Sequence, residues 1–334
     1  MLKNNRNIKI DILKSIAIFF VIVSHIRFSS DIKVFMLFPF WIDMAVPIFM
    51  ILTAVNYTNS CLRKNIYNLK DCYSFKSVSK QLLRILPLYI ILVLFEVLMS
   101  NQGILHTIKL MLTNSSFSPG AYYPIVFLQI IFILPIIYIL IMKYREKALL
   151  LLSAVQLFTE TVWRLWEYFS YTDINAYYRL LCFRYIIFLA VGCYYVLYRE
   201  KIKNKHLLLS SLLGIIYIIL FCMIDVKTLL FNTWTTTSMP TVLYIAPIVF
   251  LILESNFEIK SNCLKKILTI IGSSTYHIFI LQSAWFFFFY NCEKKQIKSV
   301  VIFSFISIIT CVVLGILIFG AENKIRQNKK TKKR

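Results

Sequence analysis

The first candidates for chemistry are three polar side chains in the first apolar segment, Asp11, Lys14 and His25. A helix turns by about 100° per residue, so these three side chains return to one face of it. Lys14 and His25 are separated by about 16 Å along such a helix. An imidazole can exchange a proton near neutral pH and can act as a general base or as a nucleophile. One stripe of the helix is therefore expected to carry charge at one end and an imidazole towards the other.

Each of these residues also has a structural interpretation. His25 can be a hydrogen-bonded residue at the membrane surface, and Asp11 with Lys14 can form an interfacial ion pair in which the lysine extends towards water. Ionisable groups inside a membrane are costly, however, and often mark a functional site. Their position on one shared face favours the functional interpretation, in which Asp11 orients Lys14.

A second group of cations opens the third apolar segment, which begins with Lys80, Gln81 and Arg84. Cations at this place can simply anchor the helix at the cytosolic surface. Alternatively, the forked guanidinium group of Arg84 and the point charge of Lys80 can bind phosphate. With Lys14 they would form a cationic phosphate site at the cytosolic mouth of the protein.

Weaker candidates lie farther along the chain. Asp43 lies near the outer end of the second apolar segment, can partner His25 and is a candidate for the acceptor side. His277, in the ninth segment, is a candidate for the outer, acceptor-binding side. His106 and His206 lie at segment boundaries, where a histidine usually has no special role.

The fifth and sixth apolar segments carry further charges. Glu160 and Arg164 are four residues apart, so an ion pair within the helix is the expected structural explanation for both. Arg184, like Arg179, flanks the outer half of the sixth segment. It can face an aqueous cavity, or it can pair with Glu167 or with Asp173. Glu160 and Arg184 are further candidates for the acceptor side.

Composition identifies the solvent in which these elements fold. The chain has 334 residues, of which 59% are hydrophobic, and its mean hydropathy is +0.72, whereas soluble domains average about 45–50% apolar residues. The apolar runs are continuous over about 20 residues, which predicts transmembrane helices and not the alternating strands of a barrel. We therefore expect an all-α polytopic membrane protein with one membrane-embedded domain over 1–334 and a basic tail at about 321–334.

The apolar runs predict about ten transmembrane helices, and a shorter piece, Ile104–Leu112, predicts an interfacial or re-entrant segment. The ten predicted spans are Ile10–Phe28, Phe35–Tyr57, Leu82–Met99, Tyr122–Met142, Ala148–Tyr168, Tyr177–Tyr198, His206–Ile224, Pro240–Leu253, Ile267–Tyr290 and Val300–Phe319.

Charge gives the predicted orientation. The net charge is +22, but the Lys and Arg residues are concentrated in every second loop, which is the positive-inside pattern and not a nucleic-acid-binding surface. This places both termini in the cytosol. No cleavable signal peptide is expected, because no small-residue cleavage site follows the first apolar run. The eight cysteines show no metal-ligand spacing, so no metal site is predicted.

Several motifs, in order, resemble the membrane acyltransferase-3 family. Asp11, Lys14 and His25 are similar to the family's Asp-x-x-Arg followed by a histidine, with Lys14 at the basic position. Ala45–Ala54 resembles its small-x-Pro-Leu-Phe-Phe-x-x-Ser-Gly stretch, and Arg84–Pro87 resembles its Arg-x-x-Pro.

The resemblance continues in the second half of the chain. Tyr122-Tyr123 lies where many members carry His-x-Trp, and Gly272–Gln282 resembles Gly-x-x-Ser-Tyr-x-Ile-Tyr-Leu-x-His. The chain departs from the family at Gln81, where an arginine is common, and at Gln282, which replaces the late histidine.

The resemblance implies transfer of an acetyl or other short acyl group from acyl-CoA to a hydroxyl group of a cell-surface carbohydrate or lipid-linked glycan. In that reading His25 is the catalytic base or the transient acyl carrier, Asp11 and Lys14 assist it, and Lys14, Lys80 and Arg84 bind the co-substrate, with no bound cofactor. The richness in Lys, Asn and Ile indicates an AT-rich genome and favours a bacterial plasma membrane. The alternatives are a non-enzymatic transporter or flippase of surface polysaccharide, and a membrane sensor or partner of a cell-wall enzyme.

Overall fold

The computed structural model describes residues 7–100, 103, 105, 106, 109, 118–170, 175–224, 226, 236–291 and 300–331. Within these ranges the regular elements are all helical. The α-helices are α1 (Ile8–Ser24), α2 (Ser30–Phe35), α3 (Ala45–Arg63), α4 (Leu69–Cys72), α5 (Phe75–Ser100), α6 (Tyr122–Ser170), α7 (Asn175–Arg179), α8 (Ile186–Tyr198), α9 (Asn204–Tyr217), α10 (Val242–Glu254), α11 (Asn262–Asn291) and α12 (Val300–Thr331). The predicted all-α architecture is confirmed, and most of the Ile104–Leu112 piece lies outside the described residues.

Seven stretches of the described chain are long and apolar enough to cross a membrane. They are Phe38–Arg63, Leu69–Ser100, Tyr122–Ser170, Cys182–Lys201, Asn204–Met223, Asn262–Tyr290 and Val300–Asn328. The chain is thus a multi-pass membrane protein by the length and composition of its helices. The total of ten spans and the cytosolic position of both termini stay predictions.

The longest helix, α6, combines two predicted spans. Straight, its 49 residues would measure about 73 Å, more than twice the thickness of a bilayer's hydrocarbon core. Its backbone leaves helical geometry at Arg145 (φ 51°, ψ −123°), inside the predicted loop between the spans. Gln129, before this kink, and Gln156, after it, both contact the segment that precedes α8. The two halves of α6 therefore lie side by side and run in opposite directions.

Two buried clusters form the core. One joins α3, α6, α8 and α10, and the other joins α1, α11 and α12. In α5, α9 and α12 most of each apolar stretch stays outside these clusters, since only 17% of each is buried. These three helices expose rows of leucine, isoleucine and phenylalanine, as expected for surfaces that face lipid.

Helix α1 crosses α11 in very close contact. A Cβ atom added at Gly272 would lie 2.8 Å from the Cα and Cβ atoms of Asp11, which is closer than packed atoms approach. Farther along the same two helices, His25 lies beside Phe286, with ring centroids 6.1 Å apart. Helices α1 and α11 are thus parallel neighbours, and α11 supports α1 from Asp11 to His25.

Candidate active site

Helices α1, α3, α5, α6 and α11 contribute to the wall of a cavity of about 1210 Å³. Typical small-molecule sites occupy about 300–1,000 Å³, so this cavity has room for two substrates at once. Among the described lining residues, Asp43 is the one acidic side chain, whereas eight are lysine or arginine. The cavity therefore favours anionic ligands.

Two ends of the cavity can be distinguished along α1, about 16 Å apart by the rise of the helix. The basic end is formed by Lys14, Arg63, Lys64, Lys76, Lys80 and Arg84. The histidine end is formed by Ser24, His25, Asp43, Arg179, Arg184, Thr236 and Thr237. Apolar side chains line the middle, among them Val21, Val46, Phe49, Phe127 and Phe279.

The basic end is built from the starts and ends of helices. Lys76, Lys80 and Arg84 are spaced by four residues, so they follow one another along one face of α5. Lys14 faces them from the first half of α1, and Arg63 closes α3. The predicted phosphate-binding trio, Lys14, Lys80 and Arg84, therefore shares one cavity.

His25 lies one residue beyond the helix in which it was predicted. Helix α1 ends at Ser24, and the backbone N–H of His25 closes the helix by donating to carbonyl groups of its last turn. The Tyr290 hydroxyl donates a hydrogen bond to the His25 carbonyl oxygen. The imidazole is half-buried and lines the cavity, so α11 fixes the backbone while the ring remains available to a ligand.

Asp11 lies apart from the cavity lining. Its side chain is 3% exposed and packs where α1 meets Gly272. The Ser15 hydroxyl donates to the Asp11 carbonyl oxygen (2.8 Å) and to that of Leu268 (3.2 Å), which ties the same turn of α1 to α11. The structure thus gives Asp11 a position from which it holds the start of α1 against α11, and its predicted orienting action on Lys14 stays a prediction.

Two of the cavity's arginines, Arg179 at the end of α7 and Arg184 in the segment that leads to α8, are held by two glutamines. The Gln129 amide donates to the Leu180 carbonyl (2.6 Å) and accepts from the Cys182 N–H (3.0 Å). The Gln156 amide donates to the Arg184 carbonyl (2.8 Å) and accepts from the Ile187 N–H (2.8 Å). Both halves of α6 therefore clamp the backbone that presents Arg179 and Arg184 to the cavity.

Of the acceptor-side candidates, Asp43 and Arg184 line the cavity, whereas Glu160 is buried behind it. Asp43 belongs to a single 3₁₀ turn, Ile42–Met44, that precedes α3, and not to the helix predicted from Phe35.

Glu160 and Arg164, which were predicted to pair with each other, interact electrostatically, and each also has further partners. Glu160 accepts hydrogen bonds from the Gln156 amide (2.9 Å) and from the Met239 N–H (3.0 Å). Arg164 forms its ion pair with Glu167 at 2.8 Å. Because Glu160 bonds to two neighbouring elements of the fold, its role is to join α6 to the start of α10.

His277, predicted as an acceptor-side candidate, pairs with a carboxylate of α12. Its Nε2 atom lies 2.6 Å from a carboxylate oxygen of Glu322, and its ring packs against Phe319, with centroids 5.1 Å apart. His277 does not line the cavity. The pair connects α11 to α12, so we leave His277 out of the proposed site.

Several residues of the site are not predicted from the sequence. The sequence explains Arg63, Lys64 and Lys76 as part of the positive-inside pattern. No sequence feature indicates that Gln129 and Gln156 bind the backbone near Arg179 and Arg184. The spacing of Lys76, Lys80 and Arg84 at intervals of four residues was the one available indication that these cations share a face. Among the described residues no cluster of three or more His, Cys, Asp or Glu is arranged to hold a metal ion.

Comparison with known proteins identifies a family but no individual relative. A family model described as an acyltransferase domain of the acyltransferase-3 type matches residues 7–320. No curated protein and no solved structure matches the chain. The family match covers nearly the whole sequence and includes every residue of the cavity. The chain belongs to the acyltransferase-3 family.

Proposed function

We propose that this protein transfers an acetyl or other short acyl group from acyl-CoA to a hydroxyl group of a cell-surface or exported carbohydrate. The family supports acyl transfer in general. The observation that carries the finer proposal is one continuous cavity that joins a cluster of six cations to His25.

The donor is assigned to the basic end. The phosphate groups of CoA are anionic, and lysine and arginine bind phosphate as point charges and as forked donors respectively. Lys14, Lys80 and Arg84 would hold them, with Arg63 and Lys76 as further partners. The pantetheine arm is an extended, flexible chain, and it would follow the apolar middle of the cavity over about 16 Å towards His25.

The chemistry is assigned to the histidine end. The imidazole of His25 would remove the proton of the acceptor hydroxyl while the oxygen attacks the thioester carbonyl carbon. The carbon–sulfur bond then breaks, and the CoA thiolate takes the proton from the imidazolium. Alternatively, an imidazole nitrogen of His25 attacks the thioester carbonyl, the carbon–sulfur bond breaks, and CoA leaves as the thiol with the imidazole proton. The acceptor hydroxyl then attacks the acyl-imidazole, and its proton returns to the imidazole. Both routes need the imidazole, the thioester and the hydroxyl in one place.

The orientation follows from the same assignment. Acyl-CoA is made in the cytosol, so the basic end would open there, in agreement with the positive-inside pattern. The acceptor would reach His25 from the opposite side of a plasma membrane, which the composition suggests to be bacterial.

Transport of a polysaccharide is the second candidate. A large polar cavity in a helical bundle also suits a flippase. Such a protein would not require an imidazole at the end of the cavity opposite a cation cluster. Consumption of the thioester separates the two classes, because only the enzyme cleaves acyl-CoA in step with acceptor modification.

The decisive experiment uses purified protein with radiolabelled acetyl-CoA and a panel of glycan acceptors. CoA release and transfer of label are compared between wild type and His25→Ala. Loss of general base or nucleophilic catalysis is expected to lower transfer about 100- to 10,000-fold. His206→Ala removes an exposed imidazole outside the cavity and is the matched control. Full activity in His25→Ala would overturn the mechanism.

A further inference from the structure

The histidine end of the cavity contains two guanidinium groups that donor binding at the basic end does not explain. Arg179 and Arg184 both line the cavity, together with His25. Arg184 is 5% exposed. Arg179 is exposed at the rim of the same cavity. Two guanidinium groups beside the proposed reacting histidine favour an anionic ligand at this end.

The first step of the argument is how each side chain is held. The guanidinium of Arg184 donates to the hydroxyl of Thr237 and lies 5.6 Å from the ring centre of Tyr178. The guanidinium of Arg179 lies 4.8 Å from the ring centre of Tyr122. Contacts with an aromatic face and a hydroxyl orient a guanidinium without neutralising its charge.

The second step is the backbone. The amide of Gln129 bonds the backbone between the two arginines, and the amide of Gln156 bonds Arg184 itself and the start of α8. These bonds satisfy backbone groups on both sides of the 3₁₀ turn Cys182–Tyr185. The two arginines are therefore set in position before a ligand arrives, which is how binding sites gain affinity and specificity.

The third step is the balance of charge around His25. Arg179 and Lys33 act electrostatically on His25. Asp43 is the single acidic group among the described lining residues. Glu160 lies close to Arg184 and opposes part of its charge. The three cations Arg179, Arg184 and Lys33 still outnumber the two carboxylates Asp43 and Glu160 at this end.

We propose that Arg179 and Arg184 bind a negatively charged group of the acceptor, a phosphate or a carboxylate close to the hydroxyl that is acylated. This inference rests on the proposed function, in which the histidine end receives the acceptor. Arginine matches both anions with its two parallel N–H donors. Two sources of the anion are compatible with the site: a charged sugar or phosphodiester in the glycan itself, and the pyrophosphate of a lipid carrier.

The experiment compares three acceptors in the full-length protein: a neutral oligosaccharide, an oligogalacturonate, and a neutral sugar on a lipid-linked pyrophosphate. Equilibrium binding of each acceptor is measured without donor, and transfer is measured with acetyl-CoA. Tighter binding of the galacturonate alone assigns the anion to the glycan, and tighter binding of the lipid-linked sugar alone assigns it to the carrier.

The variants are Arg179→Gln and Arg184→Gln, with Arg184→Lys to keep the charge and lose the fork. Each glutamine variant is expected to weaken binding of the preferred anionic acceptor about 10- to 100-fold and to leave binding of the neutral sugar unchanged. Arg145→Gln, at the kink of α6 and outside the cavity, is the matched control. Thermal stability of each variant is recorded, so that an unfolded protein is recognised.

The outcomes separate this inference from the proposed function. Equal binding of the three acceptors to wild type, or unchanged binding in both glutamine variants, would overturn the two-arginine site, even if CoA release and transfer proceed normally. Selective binding of an anionic acceptor without any thioester cleavage would support the site and overturn the acyltransferase proposal.

Discussion

The phenolic hydroxyl of Tyr290 donates a hydrogen bond to the backbone carbonyl of His25. The ring of Tyr290 is itself held, since the guanidinium of Arg27 lies 3.9 Å from its centre and the ring of Phe286 stacks on it at 5.5 Å. The last turn of α1 is therefore attached to the end of α11 at the residue proposed to carry the chemistry. This attachment restricts where the imidazole can lie relative to the cavity.

Removal of this single hydrogen bond is expected to slow turnover without affecting donor binding. Tyr290→Phe keeps the ring and its two aromatic contacts but loses about 0.5–1.5 kcal/mol of hydrogen bonding. We expect kcat to fall severalfold and KM for acetyl-CoA to stay the same, because the basic end is distant. Steady-state kinetics check this, with Tyr144→Phe, an exposed tyrosine, as control. A raised KM with unchanged kcat would show that Tyr290 acts on donor binding instead.

Removal of a cation from the basic end is expected to weaken binding of the acyl donor only if the donor carries phosphate. Arg84→Gln and Lys80→Gln should each raise KM for acetyl-CoA about tenfold, since one charge-assisted contact contributes about 1.5–3 kcal/mol. The same variants should not change KM for S-acetyl-pantetheine, which has the thioester but no phosphate. Lys260→Gln removes an exposed cation that lies outside the cavity and controls for net charge. Equal effects on both donors would contradict phosphate binding at this end.

The helices and the placement of Lys14 and His25 on one face can be predicted from local sequence. The bonding partners of the charged side chains cannot. The periodicity of α1 is sufficient to place Lys14 and His25 along one side of one helix, and continuous apolar runs are sufficient to find the long helices. The partner of a polar side chain depends on which helices become neighbours. Arg164 bonds Glu167, and Glu160 bonds Gln156 and the backbone of Met239. The last of these contacts joins residues 79 positions apart.

The same limit explains the missed residues at the histidine end. Gln129 and Gln156 are ordinary polar residues in an apolar stretch until the kink at Arg145 brings both halves of α6 to one segment. Local sequence indicates that a kink is allowed there, because charged residues interrupt the apolar run. It does not indicate which segment the two halves will enclose, since that depends on contacts between distant parts of the chain.

His277 is expected to contribute to stability and not to catalysis. Its pairing with Glu322 connects α11 to α12 at 2.6 Å. His277→Ala removes this contact and the ring packing against Phe319, and leaves Glu322 with Arg326. We expect a loss of about 1–3 kcal/mol in the free energy of unfolding with kcat/KM within severalfold of wild type. Thermal unfolding in detergent and the transfer assay measure the two effects. Glu322→Gln should give a smaller loss, and a large loss of turnover in folded His277→Ala would return this histidine to the active site.

The contact between α1 and α11 tests whether Asp11 acts through packing. In Gly272→Ala the added methyl group would lie 2.8 Å from the Cα and Cβ atoms of Asp11, so the two helices must separate. Overpacking of this kind costs about 1–3 kcal/mol, and the shift would move the start of α1 and with it Lys14. We expect a lower unfolding temperature together with a raised KM for acetyl-CoA.

Gly320→Ala provides the matched control, because a Cβ atom at Gly320 meets nothing within 4 Å and both glycines lie within long helices. Alanine is favoured over glycine in a helix by about 1 kcal/mol, so this variant should be as stable as wild type or slightly more stable, with unchanged KM. Thermal unfolding and donor kinetics on both variants are compared side by side. If Gly272→Ala behaves like Gly320→Ala, the two helices are not in close contact at Asp11, and its position beside Gly272 cannot be what holds Lys14 at the cavity.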